Sequence, residues 1–196
     1  MFSGIIEIIG IVENTSYKND NLLITISSSI ANELKSGDSI AHNGICLTVV
    51  ENNAHTHKVI AAAETLNKTN LKSIKKTHLI NLERAIMPTS RLDGHIVQGH
   101  VDDIATCTNI EALSGSHIFT FSYNPKFYHL LIEKGSVALN GISLTTINVT
   151  DKSFSISIIP YTLENTNLHS LKIGDTVNLE FDIIGKYITR MATNYK

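Results

Sequence analysis

The chain has no tryptophan, only three prolines and two cysteines, and no excess of either charge. Each shortage closes a class of function. Cys46 and Cys107 are too few to build the disulfide framework of a small secreted fold. Lys and Arg total 16 against 18 Asp and Glu, a formal charge of −2. A phosphate-binding surface needs a positive excess, so no nucleic-acid partner is expected. Lys72, Lys75 and Lys76 come nearest to a basic run and read as a solvated loop. No apolar run approaches the roughly 20 residues of a membrane helix, so no membrane partner is expected. The opening Met1-Phe2-Ser3-Gly4-Ile5-Ile6-Glu7 has no basic leader region, which points to the cytoplasm. The Asn-x-Ser/Thr triplets at Asn14, Asn67 and Asn148 then carry no meaning for glycosylation. No phosphate loop and no dinucleotide fingerprint is present.

What the chain does have is a repeat. Ser39-Ile40-Ala41-His42-Asn43-Gly44-Ile45-Cys46-Leu47-Thr48 returns as Ser136-Val137-Ala138-Leu139-Asn140-Gly141-Ile142-Ser143-Leu144-Thr145, with seven of ten residues identical at an offset of 97. Thr65-Leu66, Thr69-Asn70-Leu71 and Asn81-Leu82-Glu83 return at that same offset. A constant offset over that length means two copies of one domain, each large enough for a small core.

Within the first copy, residues 4–12 are β-branched and predict a strand. Asn14 to Asn21 reads as a turn, and 22–27 alternates as a second strand. A short helix is expected over 28–35. Asn43-Gly44 is a hairpin signal, because both residues tolerate positive φ. Strands follow at 45–50, 58–63 and 79–85, with a polar connector over 65–72. Residues 87–94 form the linker, and the second copy repeats the order. Its strands fall at 118–121, 153–159 and 177–181, with a short helix at 125–134. About six short strands per copy suggest a small closed barrel or a sandwich. Ile184, Tyr187, Ile188 and Met191 share the spacing of one helix face. That face would dock on a partner subunit or on its own barrel.

The copies also differ. Cys46 and Ser143 are equivalent, and Thr48 and Thr145 share their strand faces. His95, His100 and Asp182 belong to the second copy alone, where Ile5 and Ala85 stand opposite His100 and Asp182. Histidine suits proton transfer near neutral pH, and a carboxylate after an apolar strand needs a partner or a task. His95 and His100 are five apart, which would send them to opposite faces of an unbroken strand and counts against a metal. His55 and His57 flank a polar turn and read as surface. Two like pockets with unlike chemistry suit a reaction that uses two copies of one ligand.

The opening heptapeptide, Ala41 to Val49, Gly94-His95-Ile96-Val97-Gln98-Gly99-His100-Val101-Asp102 and Asn140 to Thr145 together resemble the riboflavin synthase α-chain family over essentially the whole chain. The resemblance implies an all-β fold of two tandem six-stranded Greek-key barrels, 1–88 and 89–185, with an oligomerisation helix at 186–196. It implies a homotrimer, no cofactor, no metal, and 6,7-dimethyl-8-ribityllumazine as substrate. The active site would lie between the first barrel of one subunit and the second of its neighbour. A lumazine synthase is a further partner that it raises. By motif position, Phe2, Cys46, Thr48 and Thr65 would line the first pocket. His95, His100, Lys134, Ser143, Thr145, Thr162 and Asp182 would line the second, with Gly4, Ile5, Gly99, Val101 and Ile159 as further contacts. His100 and Ser143 are expected to form the proton-handling pair, Cys46 to assist on the facing ring, and Asp182 to join the catalytic set. Tyr161 departs from the family, which usually has a small or polar residue such as histidine there. Lumazine proteins of similar fold bind without turnover, but depart from the Gly-His and second Leu-Thr motifs that survive here at His100 and Thr145. A flavin-reductase reading would need a nicotinamide domain for which the chain has no room.

Overall fold

The computed structural model describes residues 1–194. It contains two closed antiparallel barrels of six strands each. The first is built from β1 (Ile8–Lys18), β2 (Asn21–Ser27), β3 (Ser39–His42), β4 (Ile45–Asn52), β5 (Thr56–Ala61) and β6 (Leu79–Arg84). Around the barrel the order is β1-β2-β5-β4-β3-β6. The second uses β7 (Asp103–Leu113), β8 (Ser116–Ser122), β9 (Ser136–Leu139), β10 (Ile142–Ile147), β11 (Ser153–Ile158) and β12 (Thr176–Phe181). Its order, β7-β8-β11-β10-β9-β12, is the same path. Closure pairs every strand on both sides, so no bare edge remains to recruit another chain.

The first strand begins and ends later than the residue pattern predicts. β1 runs through Asn14 to Lys18, and the turn sits at Asn19-Asp20. The far half of β1 is polar on both faces, so alternation does not reveal it. Its pairing with the well-alternating β2 holds it extended. A register shift between Val12 and Asn14 bulges the strand, and β7 bulges at the matching place between Cys107 and Asn109. The expected helices at 28–35 and 125–134 shrink to short 3-10 turns at 31–33 and 125–130. The polar connector holds helix α1 (Ala63–Lys68), and the second copy has α2 (Pro160–Glu164) in the same place.

The two cores are filled differently. The first is aliphatic, with Ile24, Ile26, Ile40, Val59, Ile80 and Leu82 fully buried. The second is aromatic, with Phe119, Phe121, Phe154 and Phe181. His57 is not on the surface as expected. It is fully buried and faces the buried His42 at 2.8 Å between Nε2 atoms. The polar turn has already ended before it, since β5 runs from Thr56 and turns His57 inward.

The barrels meet along the hairpins that the repeat announces. Gly44 and Gly141 touch so closely that a Cβ on Gly44 would lie 2.6 Å from Gly141 N. Around them, buried asparagines satisfy one another's backbone. Asn81 donates from its side chain to Asn140 O at 3.0 Å, and Asn178 donates to Asn43 O at 2.9 Å. Asn167 adds a donor to Asn43 Oδ1 at 3.0 Å. Such a network tolerates no partial satisfaction, so it fixes one arrangement of the barrels.

Helix α3 (Ile183–Asn194) follows β12 directly, three residues earlier than the expected start; residues 195 and 196 of that expectation lie outside the described residues. It packs on the Pro125–Leu130 turn. Ile184, Tyr187, Ile188 and Met191 remain 55–66% exposed, so docking on its own barrel does not cover that face. No described helix is long and apolar enough to cross a membrane.

Candidate active site

Residues 1–7 are not a barrel strand. They form a leader that crosses to the other barrel, and residues 94–102 do the same in reverse. The two leaders meet as an antiparallel bridge between Phe2 and Val97. Two buried carboxylates pin them. Glu83, on β6, accepts from Ser3 N at 2.6 Å, Ser3 Oγ at 2.8 Å and Gly4 N at 3.1 Å. Glu180, on β12, accepts from Gln98 N at 2.6 Å, Gly99 N at 3.0 Å and His100 N at 2.9 Å. Burial raises the pKa of both glutamates, and the donated N–H groups oppose that rise. Sequence reasoning missed both as site residues. The signal was present, since Asn-Leu-Glu returns in both copies with a carboxylate inside an apolar strand.

Each leader then closes on a strand of the opposite barrel. Gly4 O accepts from Ser143 N at 2.8 Å, and Gly99 O accepts from Cys46 N at 2.9 Å. Both glycines hold positive φ, near +80°. A Cβ on Gly4 would stand 2.6 Å from Ser143 Cβ, and one on Gly99 would stand 2.6 Å from Cys46 Cβ. No other residue fits there without moving the leader away.

The crossing divides the expected residues into two places. At the first, Cys46 lies half-buried on β4 with Thr48 exposed two residues on. Gly99 abuts it, His100 follows with its side chain exposed, and Val101 packs on the first barrel's core. Phe2 is fully buried beneath, clustered with Ala41, Val97 and Ala138 against Cys46. Thr65 sits half-buried in α1, its carbonyl accepting from Thr69 Oγ1 at 2.7 Å.

At the second, Ser143 lies half-buried on β10 with Thr145 exposed. Its hydroxyl shares a 2.7 Å hydrogen bond with His95 Nδ1. His95 is buried, its backbone N–H donates to Ser3 O at 3.1 Å, and its Nε2 has no partner. Burial lowers the His95 pKa, while the nearby Asp182 carboxylate pulls it back up. Asp182 Oδ1 also accepts from Ile184 N at 2.9 Å, which caps α3. Ile5 is 47% exposed beside this place, and Thr162 is half-buried in α2. Lys134 is exposed with φ +63°, and Ile159 is 57% exposed.

Within one chain His100 and Ser143 fall at different places. Ser143 bonds to His95, and the His100 leader lies against Cys46. The far end of the second leader, Gly99 and His100, has crossed to the first barrel, whereas its near end, His95, stays with Ser143 of its own copy. A groove of about 810 Å³ lies between the two copies near Asn70, Thr77, His78, Lys172 and Asp175 and includes none of the expected site residues.

A neutral imidazole bonded to a serine hydroxyl is the arrangement that withdraws or returns one proton at a time. A cysteine and a histidine-bearing leader at the sister place offer different chemistry on the same scaffold.

The model of the lumazine binding domain family matches residues 3–85 and again 98–182. Riboflavin synthase of Actinobacillus pleuropneumoniae is 41% identical over 189 residues, covering 96% of this chain and 88% of that one. Riboflavin synthase of Bacillus subtilis (strain 168) is 39% identical over 191 residues, covering 97% and 89%. That of Saccharomyces cerevisiae is 39% identical over 203 residues, covering 97% and 85%. Among solved structures, LumP complexed with riboflavin superposes with a TM-score of 0.86 at 23% identity, covering 92% of this chain and 99% of that one, a likeness of fold.

Proposed function

The chain belongs to the lumazine binding domain family, and from that membership we propose that it is a riboflavin synthase. Two molecules of 6,7-dimethyl-8-ribityllumazine react. One gives up a four-carbon unit to the other, leaving riboflavin and 5-amino-6-(D-ribitylamino)uracil. The transfer is internally balanced, so no oxidant or reductant enters.

The observation that carries this reading is the pair of matched but unlike places, Cys46 with the His100 leader and Ser143 with His95. A dismutation needs two like rings bound and treated differently. One must lose a proton from its C7 methyl, and the other must be attacked at C7. His95 and Ser143 handle a proton at one ring. His100 and Cys46 face the other. Thr48, Thr145, Thr65 and Thr162 offer hydroxyls to the ribityl chains. Holding the rings face to face supplies more of the acceleration than either base, since orientation alone is worth about 7–11 kcal/mol.

The two places open outward, and α3 keeps an apolar face exposed. Both features support an assembly in which the first barrel of one subunit faces the second barrel of the next; the family resemblance makes that assembly a homotrimer of the cytoplasm. Relatives near 40% identity are named for the enzyme, whereas the binding proteins are alike at 22–23%. That difference favours turnover over mere binding.

The deciding experiment gives the purified protein 6,7-dimethyl-8-ribityllumazine alone and follows riboflavin by absorbance. Riboflavin at half the lumazine consumed, with nothing else added, is expected. Tight binding without conversion would move the chain to the binding-protein reading.

A further inference from the structure

The acid that ends each leader is held by a different cation in the two copies. Aligning Gly99 with Gly4 places Asp102 on Glu7 (102 − 95 = 7). Glu7 takes its cation from its own barrel. Arg84 Nε lies 2.8 Å from Glu7 Oε2, and Arg84 also reaches Glu33 at 2.8 Å. In the second copy the position of Arg84 is filled by Phe181 (181 − 97 = 84). The backbone contact persists, since Phe181 N–H donates to Asp102 Oδ2 at 2.9 Å as Arg84 N–H does to Glu7 at 3.2 Å. The side-chain cation does not persist. It comes from α3 instead, where Lys186 Nζ lies 2.5 Å from Asp102 Oδ2. Both side chains are 22% exposed, against 43% and 34% for Arg84 and Glu7.

Lys186 has a second neighbour of consequence. Its positive charge acts on Glu180, the carboxylate that holds the N–H groups of Gln98, Gly99 and His100. One ammonium on α3 thus bears on both acids that anchor residues 98–102. Those residues present His100 and press Gly99 onto Cys46. The first copy has no such link, because residue 89, matched to Lys186, lies in the loop after β6.

We propose that Lys186 is a positioning residue: it ties α3 to the leader that carries His100, so that the seating of α3 sets where His100 stands over the Cys46 strand. The kinetic part rests on the riboflavin synthase reading; the geometric part does not. Placement of this kind acts on turnover more than on binding, because a displaced group still lets the ligand in.

Lys186→Met keeps length and loses charge. It is expected to lower kcat about tenfold with KM within about twofold, and Lys186→Arg to restore most of the loss. Asp102→Asn keeps an acceptor for Phe181 N–H and loses the ion pair. Adding Lys186→Met to it should then cost less than about twofold more, since residues acting through one contact are not additive. A readout free of turnover is the His100 ring resonance, assigned by its loss in His100→Gln. It should shift in Lys186→Met, return in Lys186→Arg, and shift likewise in Asp102→Asn, which serves if the lysine variant does not fold. A chain that binds without converting would still show these shifts. An unmoved His100 resonance, or losses that multiply in full in the double variant, would overturn the proposal.

Discussion

His95 shows how a side chain becomes useful by being deprived. Its Nδ1 bonds to Ser143 Oγ, its Nε2 finds no partner, and burial holds it neutral below the ordinary histidine pKa. It is therefore ready to take a proton across the neutral range. The acid limb of kcat/KM is expected below pH 6.5. Asp182→Asn should move that limb to still lower pH, because it removes the one charge that favours the imidazolium. A pH profile of both proteins reads this directly. Ser143→Ala should reduce turnover about 10²–10³-fold while affinity for the lumazine changes far less. Equal losses in both would deny the hydroxyl a chemical role.

His42 and His57 form a second histidine pair with a different consequence. Ile40 O, 3.1 Å from His42 Nδ1, can only accept, so that nitrogen carries the hydrogen. His42 Nε2 must then accept from His57 Nε2, which leaves His57 Nδ1 buried and without a partner. Neither ring has room for another proton, and their pKa values fall to about 3 and about 4. The unfolded chain takes up protons near pH 6.5 and the folded one does not. Stability is therefore whole above pH 6.5 and is lost as pH falls toward 4, by about 2–3 kcal/mol for His57. The second copy has Leu139 and Phe154 at these positions (42 + 97 and 57 + 97). His42→Leu with His57→Phe should flatten urea-unfolding stability between pH 6.5 and 4. An unchanged slope would remove the pair from the account.

At the scale of elements, the leaders decide which residues meet. Glu83→Gln should loosen residues 2–6 and leave 97–101 protected, and Glu180→Gln should do the reverse. Hydrogen exchange measured by fragment distinguishes the two, and a uniform rise would show that the carboxylates do not act separately. Much of this level was legible in the chain. The offset of 97 gave two copies, Asn43-Gly44 and Asn140-Gly141 gave the hairpins, and the alternating runs gave most strands. The far half of β1 was not legible, because its exposed polar faces show no period. The exchange of leaders was not legible either. Local pattern describes how a segment folds and says nothing of which barrel it crosses to. That is why the bond from Ser143 to His95 within one chain was not foreseen.

For the whole molecule, α3 is the element that neither barrel needs for its own closure. Ile188→Glu places a charge on its exposed apolar face. The barrels are expected to stay folded by circular dichroism, while sedimentation shows a smaller species and riboflavin formation falls with it. Full activity from that smaller species would mean that one chain holds a complete site. The exchanged leaders also bear on how the chain is made. Met1 to Glu7 leave the ribosome before Val97 and Ser143, which seat them and are synthesised some hundred residues later. Until then the first copy alone holds them, through Glu83, Arg84 and the backbone of Leu82 and Ile86, once β6 has emerged. The first barrel can therefore close during synthesis, whereas its opening residues reach their final place only when the second copy is complete.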